Sequence, residues 1–244
     1  MQTIFHYLKT FLHCLLPYTC ILCHAPAHSQ QDLCHACRIE LPILPQSCSR
    51  CAKIFTTPLE SHLLCGACLQ HPPAFDATYA LFTYQPPITK LIMELKFHQA
   101  LVNSRLLGEL LADAIQHHWY HNKPLPEMII PVPLHNKRLR ERGFNQAVEM
   151  ARPIRRLLDI PIDTTTCQRI KYTEPQARLQ SEKRHANIKN SFKIMTDLTG
   201  RHIAVLDDVI TTGGTIEEIS KTLKIAGAAR IDIWSCARAI IDQQ

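Results

Sequence analysis

Apolar and polar positions follow two regimes along the chain. Up to about residue 70 the apolar residues are broken at short intervals by prolines and cysteines, and no core-length period develops. The stretch HPPAFDATYALFTYQPP (71–87) marks the change: the cysteine pairs stop and the first β-branched and aromatic run begins. Beyond it the pattern predicts a strand over 77–84, helices over 87–97 and 101–119, and a short buried strand at MIIPVPL (128–134). A helix over FNQAVEMARPIRRLL (144–158), interrupted by Pro153, and a strand near 162–169 follow. AVLDDV (204–209) reads as the strongest strand, TIEEISKTLKIAG (215–227) as a helix ending on Gly227, and 229–240 as a closing strand. Alternation of this kind implies an α/β fold, a mostly parallel sheet with helices on both faces. The expected domains are a small cysteine-rich one over 1–70 and the α/β one over 71–244.

IFHYLKTFLHCLLPYTCIL (4–22) is apolar but carries His6, Lys9 and His13 and meets Pro17, which is too polar for a membrane span. It lacks the charged start and small-residue cleavage site of a signal peptide. Ile4, Leu8, Phe11, Leu12 and Leu15 at helical spacing predict a short amphipathic helix. Docking on the protein itself is the default, peripheral contact with a membrane surface the alternative. The chain reads as a cytoplasmic protein.

Charge changes this picture locally. The formal net charge is +6, yet residues 130–193 hold 14 Lys/Arg against 6 Asp/Glu, an excess of eight that leaves the remainder at −2. Such a window suits an anionic partner, phosphates or a nucleic-acid backbone, or else a solvated arginine-rich surface.

Cys20-Ile-Leu-Cys23, Cys34-His-Ala-Cys37, Cys48-Ser-Arg-Cys51 and Cys65-Gly-Ala-Cys68 are four C-x-x-C units. Two intervening residues let both sulfurs of a unit reach one ion, so eight sulfurs make two closed tetrahedral zinc sites. The simplest pairing is sequential, with an interleaved one left open. A disulfide framework would want an oxidising compartment, a thioredoxin-like site a single C-x-x-C, and an iron–sulfur cluster a tighter run. Closed sites leave no open position for water, so the metals fold the region and do not catalyse. His24, His28, His35 and His62 each have a cysteine competitor at better spacing, and Cys14, Cys167 and Cys236 read as ordinary buried thiols.

IAVLDDVITTGGT (203–215) carries the chemistry: a buried strand ends in two carboxylates and runs at once into a loop of hydroxyls and glycines. In an open α/β sheet, ligands sit at the carboxyl ends of the strands. The helix that follows points its positive end at the same place. Together these make a seat for a sugar phosphate, the loop holding phosphate and the acids accepting hydrogen bonds from two ribose hydroxyls. Neither a Walker loop nor a Rossmann fingerprint is present.

V-L-D-D-V-I-T-T-G-G-T resembles the phosphoribosyl-pyrophosphate signature of type I phosphoribosyltransferases. With the four cysteine pairs ahead of it, VPLHNKRLRERGFNQA (132–147) and TEPQARLQSEKRHANIKNSF (173–192), the chain is similar to the ComF family of competence-associated proteins over residues 12–240. The resemblance implies a double zinc ribbon followed by a type I phosphoribosyltransferase-like domain that binds phosphoribosyl pyrophosphate with Mg²⁺. It implies that Asp207 and Asp208 bind the ribose hydroxyls and that Thr211, Thr212, Gly213, Gly214 and Thr215 cradle the 5′-phosphate. Pyrophosphate needs cations as well. A basic loop after MIIPVPL offers Lys137, Arg138, Arg140 and Arg142, among which Arg138 and Arg142 are favoured. Residues 171–190 read as a mobile hood over the reacting centre, with Gln176, Arg184 and Asn187 at the family's polar positions; a catalytic role falls to Asp207, Asp208 and Arg184. The implied chemistry is displacement of pyrophosphate at the anomeric carbon by a nitrogen nucleophile of unidentified identity.

Two functions stand side by side. One is a Mg²⁺-dependent phosphoribosyltransferase; the other, implied by the resemblance, is handling of incoming single-stranded DNA during natural transformation, with DNA-uptake or recombination proteins as partners. A purely metabolic base-salvage enzyme is the alternative to a DNA role. Aromatic residues for base stacking are sparse in the basic window, where only Phe144, Tyr172 and Phe192 occur.

Overall fold

The computed structural model describes residues 18–27, 31–55, 64–172 and 188–240. The expected N-terminal amphipathic helix and Cys14 lie outside the described residues, as do Gln176, Arg184 and Asn187. The chain divides into two compact units, 1–41 and 42–244, so the second half of the cysteine-rich region belongs to the larger one. Among its described residues the smaller unit holds one short helix, α1 (His35–Ile39).

The larger unit begins with helix α2 (Gly66–Gln70), then strand β1 (Ala77–Thr83) and helices α3 (Ile88–His98) and α4 (Leu101–Ala114), the last continuing as a π-turn to Trp119. Strand β2 (Met128–Pro131), helices α5 (Asn136–Arg142) and α6 (Gln146–Leu158) and the short strands β3 (Cys167–Arg169) and β4 (Phe192–Ile194) come next. Strand β5 (His202–Ile210), helix α7 (Gly214–Ile225) and strand β6 (Arg230–Arg238) complete it. The main sheet has the order β1-β6-β5-β2 with every pair parallel, while β3 and β4 form a small antiparallel pair.

Burial explains why β5 is so apolar. A parallel sheet is covered on both faces, so its central strands read as continuous hydrophobic runs. Ile203, Ala204, Val205 and Leu206 are all fully buried. On one face Ile216, Ile219 and Leu223 of α7 pack with Val205, Ile203, Ile231 and Ile233. Elsewhere α4 packs on α6, and Gly108 is what lets them approach: a Cβ there would stand 2.4 Å from the Met150 carbonyl oxygen.

Three expectations are corrected. Helix α6 runs unbroken through Pro153, whose ring packs on Gly108. The lost hydrogen bond to the carbonyl four residues back is outweighed by that packing and by the Asn145 cap on the Ala147 N–H. The basic stretch after β2 is a helix, α5, and not a loop; the His135 ring caps its start and Gly143, at φ 84°, ends it. The strand expected at 162–169 is two pieces, a bridge from Ile162 to Ile129 beside β2 and then β3. Between them Asp163 accepts the N–H groups of Thr165 and Thr166 and turns the chain.

The outer edge of β1 is not bare. Residues 42–49 run antiparallel along it, with Thr83 N–H to Pro42 O at 2.8 Å, Leu44 N–H to Leu81 O at 2.9 Å and Thr78 N–H to Ser49 O at 3.2 Å. At the amino ends of the strands, Asp232 is fully buried yet well served. It accepts from Tyr120 Oη at 2.6 Å and Arg230 Nε at 3.0 Å and pairs with His202 Nε2 at 2.8 Å. Among the described residues no helix is long and apolar enough to cross a membrane.

Candidate functional site

The opposite, carboxyl edge of the sheet is less well served. Strand β5 reaches it with Asp207 and Asp208, and the chain turns through Thr211, Thr212 and Gly213 into α7. Gly213 adopts φ 83°, a conformation glycine takes without strain, and this turn aims the helix start back at the strand end. No side chain caps α7, so its leading N–H groups face the turn. Thr212 Oγ1 is buried and has no hydrogen-bond partner among the described residues. An uncapped helix start, a left-handed glycine and an orphaned hydroxyl together suit an anion with acceptor oxygens.

The two acids are not equivalent. Asp208 is 9% exposed and ion-paired with Lys96 from the last turn of α3. Burial works against charge on Lys96, but Asp208 outweighs it and holds the ammonium above its ordinary range. Asp207 is half-buried and accepts the Asp208 N–H at 2.9 Å. Burial first, and then the neighbouring Asp208, push its carboxyl up to about 7, with Lys96 opposing. Asp207 is therefore the acid most in need of a cation.

Cations gather around the pair from three elements. On α5, Arg138 and Arg142 are one turn apart and half-buried, whereas Lys137 and Arg140 are exposed. The Arg142 guanidinium lies 5.8 Å from the centre of the Phe97 ring; burial lowers its pKa, Arg138 adds to that, and Asp208 opposes. Arg169 at the end of β3 is likewise lowered by burial and by Arg138 and favoured by Asp207. Arg138 and Arg142 were favoured from the sequence because arginine's planar fork suits phosphate oxygens. Lys96 and Arg169 were not foreseen, because each comes from an element remote in the chain, with no local motif.

The polar positions expected of a hood, Gln176, Arg184 and Asn187, fall outside the described residues, but the flanks of that segment, its root, are described. Ile170 N–H donates to Ser191 O at 2.8 Å, which continues the pairing of β3 and β4 by one bond. Tyr172 packs edge-on against His135 and beneath Lys137 Nζ, 4.7 Å from the ring centre. A cleft of about 680 Å³ lies between this root and α7; it reaches Gly214 but not the acid pair.

The cysteines resolve into two tetrads with sequential pairing, Cys20, Cys23, Cys34 and Cys37, then Cys48, Cys51, Cys65 and Cys68. Within each, all sulfurs lie within 4.8 Å of one another, with Cys23–Cys34 and Cys51–Cys65 at 3.6 Å and all thiols free. Zinc–sulfur bonds of 2.3 Å give tetrahedral edges of about 3.8 Å, so the residues fit that ion. Among the described residues no histidine joins either set. The two sites repeat one local design. In each first turn the cysteine N–H is bonded at 2.8 Å, Cys20 to Ala25 O and Cys48 to Lys53 O, and the residue after the second cysteine is left-handed, His24 at φ 61° and Ala52 at φ 55°. In each second turn the first cysteine, Cys34 or Cys65, precedes a short helix. Burial opposes ionisation of Cys20 and Cys48, yet backbone N–H groups aimed at their sulfurs bring them down to about 6 and about 7. Cys37 and Cys68 are driven up, Cys37 first by its neighbour Cys23 and Cys68 first by burial. Four thiolates so close ionise together only around a cation.

Comparison with known proteins agrees with both halves. A model of the double zinc ribbon domain matches residues 11–69, and a model of the phosphoribosyl transferase domain matches residues 141–241. The chain is 35% identical over 227 residues to competence protein F of Haemophilus influenzae, covering 91% of this chain and 97% of that protein. It is 34% identical over 227 residues to the DNA utilization protein YhgH of Escherichia coli K12, covering 92% and 99%. It is 23% identical to competence protein ComFC of Bacillus subtilis, covering 82% and 80%.

Proposed function

Because the chain belongs to the ComF and YhgH family, which joins a double zinc ribbon to a phosphoribosyltransferase domain, we propose that it binds phosphoribosyl pyrophosphate with Mg²⁺ and acts in natural transformation, handling incoming single-stranded DNA in the cytosol. The observation that carries the reading is the edge of β5: a protonation-prone Asp207 beside an uncapped, glycine-turned helix start, ringed by Lys96, Arg138, Arg142 and Arg169. In this reading Thr211 to Thr215 hold the 5′-phosphate and Arg138 and Arg142 face the pyrophosphate. Asp208, already tied to Lys96, fixes the rim, while Asp207 takes a ribose hydroxyl.

Mg²⁺ keeps several waters and is held by one or two carboxylates plus substrate phosphates. Asp207 is the carboxylate suited to such a role. When bound, the ion would neutralise charge developing on pyrophosphate, and Asp207 would orient the sugar. Arg184 and the hood would exclude water above it. The functional division we propose is metal-bearing 1–70 and ligand-binding 71–244.

The DNA role draws on the family and on the basic residues. Two of these are paired with acids: Arg156 of α6 with Glu109 at 2.9 Å and Arg152 of α6 with Glu149 at 3.1 Å. Calorimetry with phosphoribosyl pyrophosphate and Mg²⁺ tests the ligand. Asp207→Asn is expected to abolish that heat, and wild-type protein giving none would overturn the reading. A salt-titrated single-strand binding assay, with Arg155 and Arg156 replaced, tests the DNA role. Binding insensitive to salt would count against phosphate contacts. Pyrophosphate release driven by a free base, with no DNA binding, would favour base salvage.

A further inference from the structure

The second cysteine tetrad is joined to the core beneath the phosphate loop. Cys51 packs against the core cluster that contains Ile210 and Ile216, the residues just before and just inside the loop-to-helix turn. The chain leaving the tetrad bonds α7 directly, Ala74 N–H to Glu217 Oε2 at 3.1 Å. Between tetrad and loop stands Arg238, the last residue of β6. Its Nη1 donates to the Ile210 carbonyl at 3.0 Å and to the Thr211 carbonyl, the two oxygens that open the loop. Its Nε is buried with no hydrogen-bond partner among the described residues. Burial lowers this guanidinium's pKa, and Cys51 and Cys65 are the charges that favour it.

We propose that Arg238 is a positioning residue that ties the second metal tetrad to the phosphate loop, so that loading Cys48, Cys51, Cys65 and Cys68 with zinc sets how well residues 211–215 hold an anion. A four-thiolate zinc unit carries a net charge of about −2. That charge holds the buried Arg238 cation in place, and Arg238 in turn clamps the two carbonyls. A metal-free tetrad leaves a buried cation without its counter-charge, and the clamp loosens.

The inference rests on the loop being an anion seat, so the test separates the two. Hydrogen exchange of amides 211–215 is measured on the full-length chain without ligand, alongside calorimetry with phosphoribosyl pyrophosphate and Mg²⁺ and a zinc count. In Arg238→Gln the loop amides are expected to exchange about tenfold faster and ligand binding to weaken about tenfold, with two zinc ions per chain retained. Arg238→Lys keeps the charge but not the two-carbonyl clamp, and should fall between. In a Cys37→Ser chain stripped of metal, Co²⁺ loads the second tetrad. Loop protection should then rise in step with the thiolate–cobalt absorption. Loop exchange unchanged in Arg238→Gln, or indifferent to cobalt loading, overturns the proposal. Loop protection that follows Arg238 and cobalt in a protein giving no ligand heat would keep the coupling and remove the ligand.

Discussion

The two ends of the central sheet each bury acid, and they treat it in opposite ways. At the amino end Asp232 has a tyrosine, a histidine and an arginine around it and no exposed surface. At the carboxyl end Asp208 is paired with one lysine, Asp207 is left with a carboxyl raised to about 7, and the buried Thr212 hydroxyl has no partner among the described residues. A fully served acid holds the fold together; an under-served one waits for something outside the protein. Aromatic packing reinforces the first end, where Tyr120 meets Trp234 edge-on at 5.7 Å and lies tilted against Tyr79 at 5.3 Å.

Replacing the acid at each end should separate the two roles most sharply. Asp232→Asn breaks a buried ionic network and should cost about 3–5 kcal/mol, read as a shift in the urea midpoint. Asp207→Asn should leave that midpoint in place or raise it at neutral pH while removing phosphoribosyl pyrophosphate binding. Equal loss of stability from both would erase the contrast.

The pH dependence sharpens it further. Asp207 titrates near 7 when folded against an ordinary 3.8, so the folded protein keeps a proton that the unfolded chain has released. Its contribution to stability is complete below about pH 4 and is lost as pH rises toward 7. Asp207→Asn should flatten that stretch of the stability curve. A curve unchanged by the substitution would show the carboxyl to be ordinary.

Smaller effects come from the rim. Gly213→Ala forces a side chain into φ 83° and should cost about 1 kcal/mol, with ligand binding falling further than stability. Arg142→Ala should weaken pyrophosphate binding several-fold with little change in unfolding, because the residue is half-buried and lies over the exposed Phe97 ring.

The carboxyl end was far more legible in the sequence than its surroundings. Strand, acids, glycine turn and helix start follow one another within thirteen residues of chain, so spacing alone displays them. The cysteine pairs are legible for the same reason, though only the folded chain resolves which pairs share an ion. Lys96 and Arg169 are supplied by tertiary packing, and nothing in their neighbours distinguishes them from solvated cations. Helix α5 is too short, at seven residues, for a period to declare itself. Pro153 misled because the glycine that accommodates it sits on another helix.

The strip of chain lying along β1 has a practical bearing on dissecting the molecule. A fragment starting at residue 71, where composition changes, would strip residues 42–49 from that strand and leave its row of amides and carbonyls open to pairing with other copies. One starting at residue 42 would keep the strand sheathed and retain four of the eight metal-binding sulfurs. The natural place to cut this gene for expression is therefore through the middle of its cysteine-rich region.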